Sequence, residues 1–137
     1  MAVDEDYLLV VDDHASVRRL LQAILTEKGY PVIAVGSGEQ ALAQVRVARP
    51  ALVLLDVKMP GIDGFETLKR LKTLDSHIPV IVMSAYTELS SVNTARQLGM
   101  IEHYLCKPFA LEEIYSLVAS VLNGREAEGK TEIDTGN

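Results

Sequence analysis

Five polar side chains stand where apolar runs of this sequence stop, and together they could manage a phosphoryl group. Asp12 and Asp13 follow YLLVV (7–11), Asp56 follows ALVLL (51–55), Ser84 follows IPVIVM (78–83), and Lys107 follows the short run HYLC (103–106). Any one of these carboxylates has an ordinary explanation, since Asp opens turns by hydrogen bonding to backbone two residues on. Gathered at one edge they need more, because two like charges about 4 Å apart repel by about 4 kcal/mol at an effective dielectric near 20. A divalent cation relieves that repulsion. Carboxylate oxygens are hard ligands, and two or three of them with waters suit Mg²⁺, which leaves positions for a phosphate oxygen. Mn²⁺ could substitute, Ca²⁺ fits less well, and Zn²⁺ fits poorly because His14 is the only soft ligand close by. Lys107 adds a second cation, and Ser84 adds a hydroxyl able to donate to an anionic oxygen. A carboxylate with an open oxygen can then be the nucleophile and form an acyl phosphate, and Asp56, on the central run, is the best placed.

Whether these residues meet depends on the segments that carry them. ALVLL is apolar throughout, the pattern of a strand buried on both faces in a parallel sheet covered by helices, and YLLVV, PVIAV (31–35) and IPVIVM are further apolar, β-rich runs. Helical patterns fill the gaps. Val17, Leu20, Leu21, Ile24 and Leu25 recur along one helix face that closes at Lys28 and Gly29. Ser37 with Gln40 three residues on forms a capping-box pattern; the helix it opens carries Ala41, Leu42 and Val45 and cannot pass Pro50. A third helix follows Gly64 with Phe65, Leu68 and Leu71. A fourth, from about Glu88 to Leu98, is poorly patterned, so packing must hold it or its stability is low. A fifth begins near Ala110 and is expected to bury Leu111, Ile114, Val118, Val121 and Leu122, with Phe109 stapled onto Ile114. Strands alternating with helices predict a doubly wound α/β sandwich on a parallel sheet. In such sheets ligands bind beyond the carboxyl ends of the strands, where strand order reverses.

The 137 residues suit one compact domain, placed at 1–122, with the polar, aperiodic stretch 123–137 as a disordered tail or linker stub. Lys plus Arg number 13 against 19 Asp plus Glu, and the net charge of -6 argues against direct nucleic-acid binding. Cys106 is the sole cysteine, so no internal disulfide forms. The start, MAVDEDY, lacks a signal-peptide pattern, and no apolar run approaches the roughly 20 residues that span a bilayer. A cytoplasmic protein without membrane contact is expected.

Across residues 7 to 122 the sequence resembles the receiver domain of bacterial two-component response regulators. Four pieces carry the resemblance, in order and at fitting separations: VVDDH (10–14), LLDVKMPGIDG (54–64), VMSAY (82–86) and YLCKPF (104–109). Among subtypes it is most similar to the single-domain regulator of the sporulation phosphorelay, through EKGY, LLDVKMPGIDG, SAYTEL and KPFALEEI. The resemblance implies a flavodoxin-like fold, a five-stranded parallel sheet of order 2-1-3-4-5 with five helices. It makes Asp56 the phosphoacceptor and gives Asp12 and Asp13, with Asp56, the Mg²⁺. Ser84 would hold a phosphoryl oxygen, Lys107 would pair with Asp56 or its phosphate, Pro108 would carry a cis peptide, and Tyr104 would swing inward when Ser84 is drawn to the phosphate. Lys58 and Tyr86, each two residues beyond a site residue, would flank the approach of water to the acyl phosphate. The implied partners are a sensor histidine kinase or a histidine phosphotransfer protein, and a downstream protein target. The chain departs from the family in carrying one residue more between Gly99 and Lys107, and in having Ala110 where an N-capping Asp is common, a loss of ~0.5 to 2 kcal/mol.

Other residues read more plainly. His14 is expected to be a solvated helix-start histidine, His77 a loop residue, His103 a neighbour of Tyr104 that could face partners, and Cys106 a small packing residue. Val17 and Leu20 belong first to the core, though relatives dock a histidine-bearing helical bundle along that edge. A dehalogenase-type phosphohydrolase also joins a nucleophilic Asp, Mg²⁺ and Lys on a parallel sheet, but it places a second Asp two residues after the nucleophile, where this chain has Lys58. A degenerate receiver used only for binding is disfavoured, since all five site residues are intact. The expected function is a signalling domain that catalyses only its own phosphorylation and slow dephosphorylation. It either switches a partner or passes the phosphoryl group on, alone or as part of a longer DNA-binding regulator or hybrid kinase.

Overall fold

Successive residues of the buried strands send their side chains to opposite sides of one sheet, and this alternation builds two separate cores. In a computed structural model of the chain, residues 7–57, 64–85, 93–94, 96–99 and 101–129 are described. Strands β1 (Leu8–Val11), β2 (Val32–Val35), β3 (Leu52–Asp56), β4 (Val80–Ala85) and β5 (His103–Lys107) are joined with helices α1 (Ala15–Glu27), α2 (Gly38–Val47), α3 (Gly64–Leu74) and α4 (Leu111–Gly129). All neighbouring strands pair in parallel. The order is β2-β1-β3-β4-β5, so the chain reverses its direction of winding between β1 and β3. Leu9, Val11, Val53, Leu55, Val80 and Val82 face α2 and α3, meeting Ala41, Leu42, Val45, Leu68 and Leu71. Their neighbours Leu8, Val10, Leu52, Leu54, Ile81 and Met83 face the other way, onto Leu21, Ile24 and Leu25 of α1 and Ile114, Val118 and Val121 of α4. Each fully buried Leu, Ile or Val contributes about 1.5 to 3 kcal/mol, which fixes the strand register and with it the level at which each strand ends.

The ends of the helices follow local chemistry. Ser37 Oγ accepts the Gln40 amide at 3.1 Å, and Gln40 Oε1 reaches back to the Gly36 amide at 2.8 Å, one residue before the cap. The closing turn of α1 passes through Gly29, whose φ of 97° suits a residue without a Cβ, while Tyr30 donates to the Leu25 carbonyl at 3.1 Å. Ala110 supplies no capping oxygen to α4, but Glu113 Oε1 accepts the Ala110 amide at 2.7 Å and restores half of a capping box.

Several expectations are revised. Leu20 is 49% exposed and Leu111 is 43% exposed, so neither belongs to the core. The buried stripe of α1 narrows to Leu21, Ile24 and Leu25, and Leu111 sits in the opening turn of α4, before the residues that reach the sheet. The last helix also continues to Gly129 instead of giving way to a tail after Leu122. Arg125, Glu126, Ala127 and Glu128 are good helix formers, and they outweigh the cost of about 1 kcal/mol that Gly124 brings. Among the described residues four helices stand as elements. Most of the stretch from Glu88 to Leu98 lies outside the described residues, but Asn93, Thr94, Arg96 and Gln97 are helical and the turn ends at Gly99 with φ 78°.

Candidate functional site

The carboxyl ends of β1, β3, β4 and β5 form one rim. Asp56 is the last residue of β3, aligned with Met83 on β4, and Asp12 follows β1, its amide still paired to the Val35 carbonyl at 3.2 Å. Ser84 is paired with Cys106 and Ala85 with Lys107, so the serine and lysine arrive at the same rim from adjacent strands. The switch point of the sheet, between β1 and β3, lies between Asp12 and Asp56.

Three carboxylates converge there. One ligand atom from each of Asp12, Asp13, His14 and Asp56 lies within 4.8 Å of all the others. Lys107 Nζ donates to Asp12 Oδ2 at 2.9 Å and stands 3.6 Å from Asp56 Oδ1, bridging the two strands on either side of the switch point. Asp12 and Asp56 are almost entirely removed from solvent, at 0% and 3% exposure, so their mutual repulsion is weakly screened. The Arg18 guanidinium donates to the Asp12 carbonyl at 2.8 Å and tethers the acidic loop to α1. His14 stands at the N-cap of α1; its amide donates to Asp12 Oδ1 at 2.9 Å, and its Nδ1 lies 3.1 Å from that same oxygen and 3.2 Å from Asp13 Oδ1. The lysine offsets part of the formal charge of three acids. Asp13 Oδ1, a buried atom with no hydrogen bond of good geometry despite the nearby imidazole, is the kind of oxygen a hard cation takes. The donor set therefore fits a divalent ion.

Ser84 is fully buried, and its Oγ makes no hydrogen bond of good geometry. The Tyr104 phenol is its neighbour. Burial pushes that phenol above its ordinary value and the Cys106 thiol adds to the rise, while Ser84 and Arg96 pull against it. The Tyr104 ring packs against the core on the α2 and α3 side, as Phe65 does, and carries the Arg96 guanidinium 5.8 Å from its centroid. The Lys107–Pro108 peptide is cis. Lys58 and Tyr86 lie outside the described residues.

Gly64 packs directly against the backbone at the end of β3. Its amide donates to the Val57 carbonyl at 3.0 Å, and a Cβ at this position would fall on the Val57 backbone. Sequence reasoning treated this glycine only as a helix boundary, and it missed Arg18 altogether. His14 is the solvated histidine expected at the start of a helix, with 63% of its side chain exposed at the N-cap of α1; the contact of its ring with both acids was the part not foreseen, and the run Asp-Asp-His was the available signal. His77 and His103 lie at the other end of the sheet, beside a cavity of about 510 Å³ shared with Lys72, Glu102 and Ser120.

A doubly wound parallel sheet with acids and a lysine at its switch point defines a class, and the chain belongs to the response regulator receiver domain family, whose model matches residues 8–119. This is a family of signalling phosphoacceptor domains, which sets the chain apart from the dehalogenase-type phosphohydrolases. It is 44% identical over 115 residues to the sporulation initiation phosphotransferase F of Bacillus subtilis (strain 168), covering 84% of this chain and 92% of that protein. It is 40% identical over 122 residues to the transcriptional regulatory protein ZraR of Escherichia coli (strain K12), covering 89% of this chain but 27% of that one. The chain spans about half the length of several other curated relatives it matches. Among solved structures, the receiver domain of NtrX from Brucella abortus superposes with a TM-score of 0.79 at 27% identity, over 85% of this chain and 98% of that one. A CheY-like receiver from Methanospirillum hungatei JF-1, 24% identical, shares the fold with a TM-score of 0.83 over 90% of this chain and 98% of its own. No helix among the described residues is long and apolar enough to cross a membrane.

Proposed function

We propose that Asp56 is the phosphoacceptor of a phosphorelay or two-component pathway. In this reading an Asp56 carboxylate oxygen attacks the phosphorus of a phosphohistidine on a sensor kinase or histidine phosphotransfer protein. The O–P bond forms as the P–N bond breaks, and the departing imidazole takes up a proton. Lys107, already bridging Asp12 and Asp56, neutralises charge on the transferred group, and the Ser84 hydroxyl donates to one of its oxygens. Asp12, Asp13 and Asp56 would hold Mg²⁺, or Mn²⁺ in its place, which supplies positive charge beside the phosphoryl group. Most of the rate comes from holding acceptor and donor in line. Phosphorylation then changes binding to a downstream protein, or the group passes to a further histidine, as the likeness to the sporulation phosphotransferase suggests. Lys58 and Tyr86 would shield the acyl phosphate from water.

The observation that carries this reading is the Lys107 ammonium 3.6 Å from the buried Asp56 carboxylate, at a rim with two further acids. The experiment is incubation with acetyl phosphate and a divalent salt, followed by intact-mass analysis. Wild type gains one acid-labile phosphate, and an Asp56→Asn protein gains none; equal uptake by the variant would remove Asp56 from its role.

A further inference from the structure

We infer that His14 is a ligand of the cation at this rim, placing an imidazole nitrogen among carboxylate oxygens so that the site selects a first-row transition ion over Mg²⁺. The inference rests on the phosphoacceptor reading and deepens it. His14 Nδ1 lies 3.1 Å from Asp12 Oδ1 and 3.2 Å from Asp13 Oδ1. Adjacent ligands of an octahedral ion with bonds of about 2.1 to 2.2 Å are separated by about 3.0 to 3.1 Å. Opposite ligands of the same ion are about 4.3 Å apart, and the four ligand atoms here lie within 4.8 Å of one another, so small side-chain rotations bring them onto one centre.

Two further observations point the same way. Asp13 Oδ1 is a buried atom left without a hydrogen bond, and His14 faces it on a backbone fixed by the Asp12 carboxylate, which accepts the His14 amide at 2.9 Å. The rest of the imidazole is open to solvent, 63% of the side chain being exposed, so core packing does not account for where the ring points. Imidazole prefers ions from Mn²⁺ to Zn²⁺ over the oxygen-seeking Mg²⁺, and a neutral ring with its proton on Nε2 presents Nδ1 as the donor atom. A protonated imidazole would make the same two contacts as an ion pair and could not ligate.

Pulsed electron paramagnetic resonance of the full chain loaded with Mn²⁺ separates the two. Imidazole ligation gives nitrogen hyperfine modulation in wild type that vanishes in His14→Gln and His14→Ala. Calorimetric titration with Co²⁺ and Mg²⁺ supplies a second readout. Even outer partners of metal ligands are worth about tenfold or more in affinity, so the Co²⁺ affinity of both variants falls by at least that factor. Their Mg²⁺ affinity falls by less, so the ratio of Co²⁺ to Mg²⁺ affinity drops in both variants. A wild-type Mn²⁺ signal without nitrogen modulation, or an unchanged Co²⁺ to Mg²⁺ ratio, overturns the inference and leaves the phosphoacceptor reading standing. Failure of wild type to bind any divalent ion takes both down.

Discussion

At the scale of single residues the site sets stability against function. Three acids sit around one lysine at the rim, and two of them are shielded from water, so without a cation their repulsion weakens the fold. Asp13→Asn should therefore raise the free energy of unfolding by about 1 to 2 kcal/mol in chelator, measured by urea denaturation, and the gain should shrink when Mg²⁺ is added. A destabilised Asp13→Asn protein in chelator would mean that the acids are not in conflict. At the opposite end of the molecule an acid works for the fold. Asp75 accepts the His77 amide at 2.9 Å and pairs with Arg49, and its pKa is held below 3.8, first by that backbone hydrogen bond. Because the folded-state value is the lower one, the stabilisation is complete above about 3.8 and is lost as pH falls through the depressed folded value. Asp75→Ala should cost about 0.5 to 1.5 kcal/mol at neutral pH, and wild type and variant should converge in acid. A gap that persists unchanged below that window assigns the effect to something other than this carboxylate.

At the scale of elements, what the sequence shows depends on whether burial alone decides the conformation. Three of the four long apolar runs were legible because a strand buried on both faces needs no alternation, and the residue where each of these stops, Asp12, Asp56 or Ser84, was readable within a residue or two of the strand end; the fourth, β2, is an edge strand with Ile33 37% exposed. Register gave the site its shape, and register comes from packing that no single run encodes. Leu20 and Leu111 looked like core because periodicity locates a helix face but not how far that face reaches over the sheet. The extension of α4 to Gly129 escaped notice because helix propensity in a polar segment leaves no hydrophobic pattern. Gly64 shows the same limit, since a close approach between α3 and the end of β3 cannot be seen in either segment alone. Gly64→Ala drives a methyl onto the Val57 backbone, and a loss of about 2 kcal/mol or more is expected from the urea midpoint, together with slower phosphorylation as the end of β3 that carries Asp56 is displaced. Wild-type stability in Gly64→Ala would show that the two backbones part without strain.

Across the whole molecule, the question is how a change at Asp56 reaches a distant surface. β4 and β5 end side by side, with Val82 paired to Tyr104 and Ser84 to Cys106. The Ser84 hydroxyl lacks a well-made hydrogen bond, so drawing it toward a phosphoryl oxygen sacrifices little in the resting state. The Tyr104 phenol beside it is pushed upward in pKa by burial and stays neutral, and its ring holds Arg96 in the helical turn that ends at Gly99. Leu98, 71% exposed, lies in that same turn. A shift of Ser84 therefore has a packed route, through one aromatic ring and one guanidinium, to a surface carrying an exposed leucine. The route is a coupling only if both ends bias the same two-state element. Amide spectra of wild type should then change on addition of beryllofluoride both at the rim and across residues 93–107, whereas in Tyr104→Ala the change should persist at Asp56 and its neighbours and fall by half or more beyond Thr94. Spectra of Tyr104→Ala that change as far and as strongly as those of wild type would show that the signal travels without the ring, and Arg96→Ala would then have no effect either.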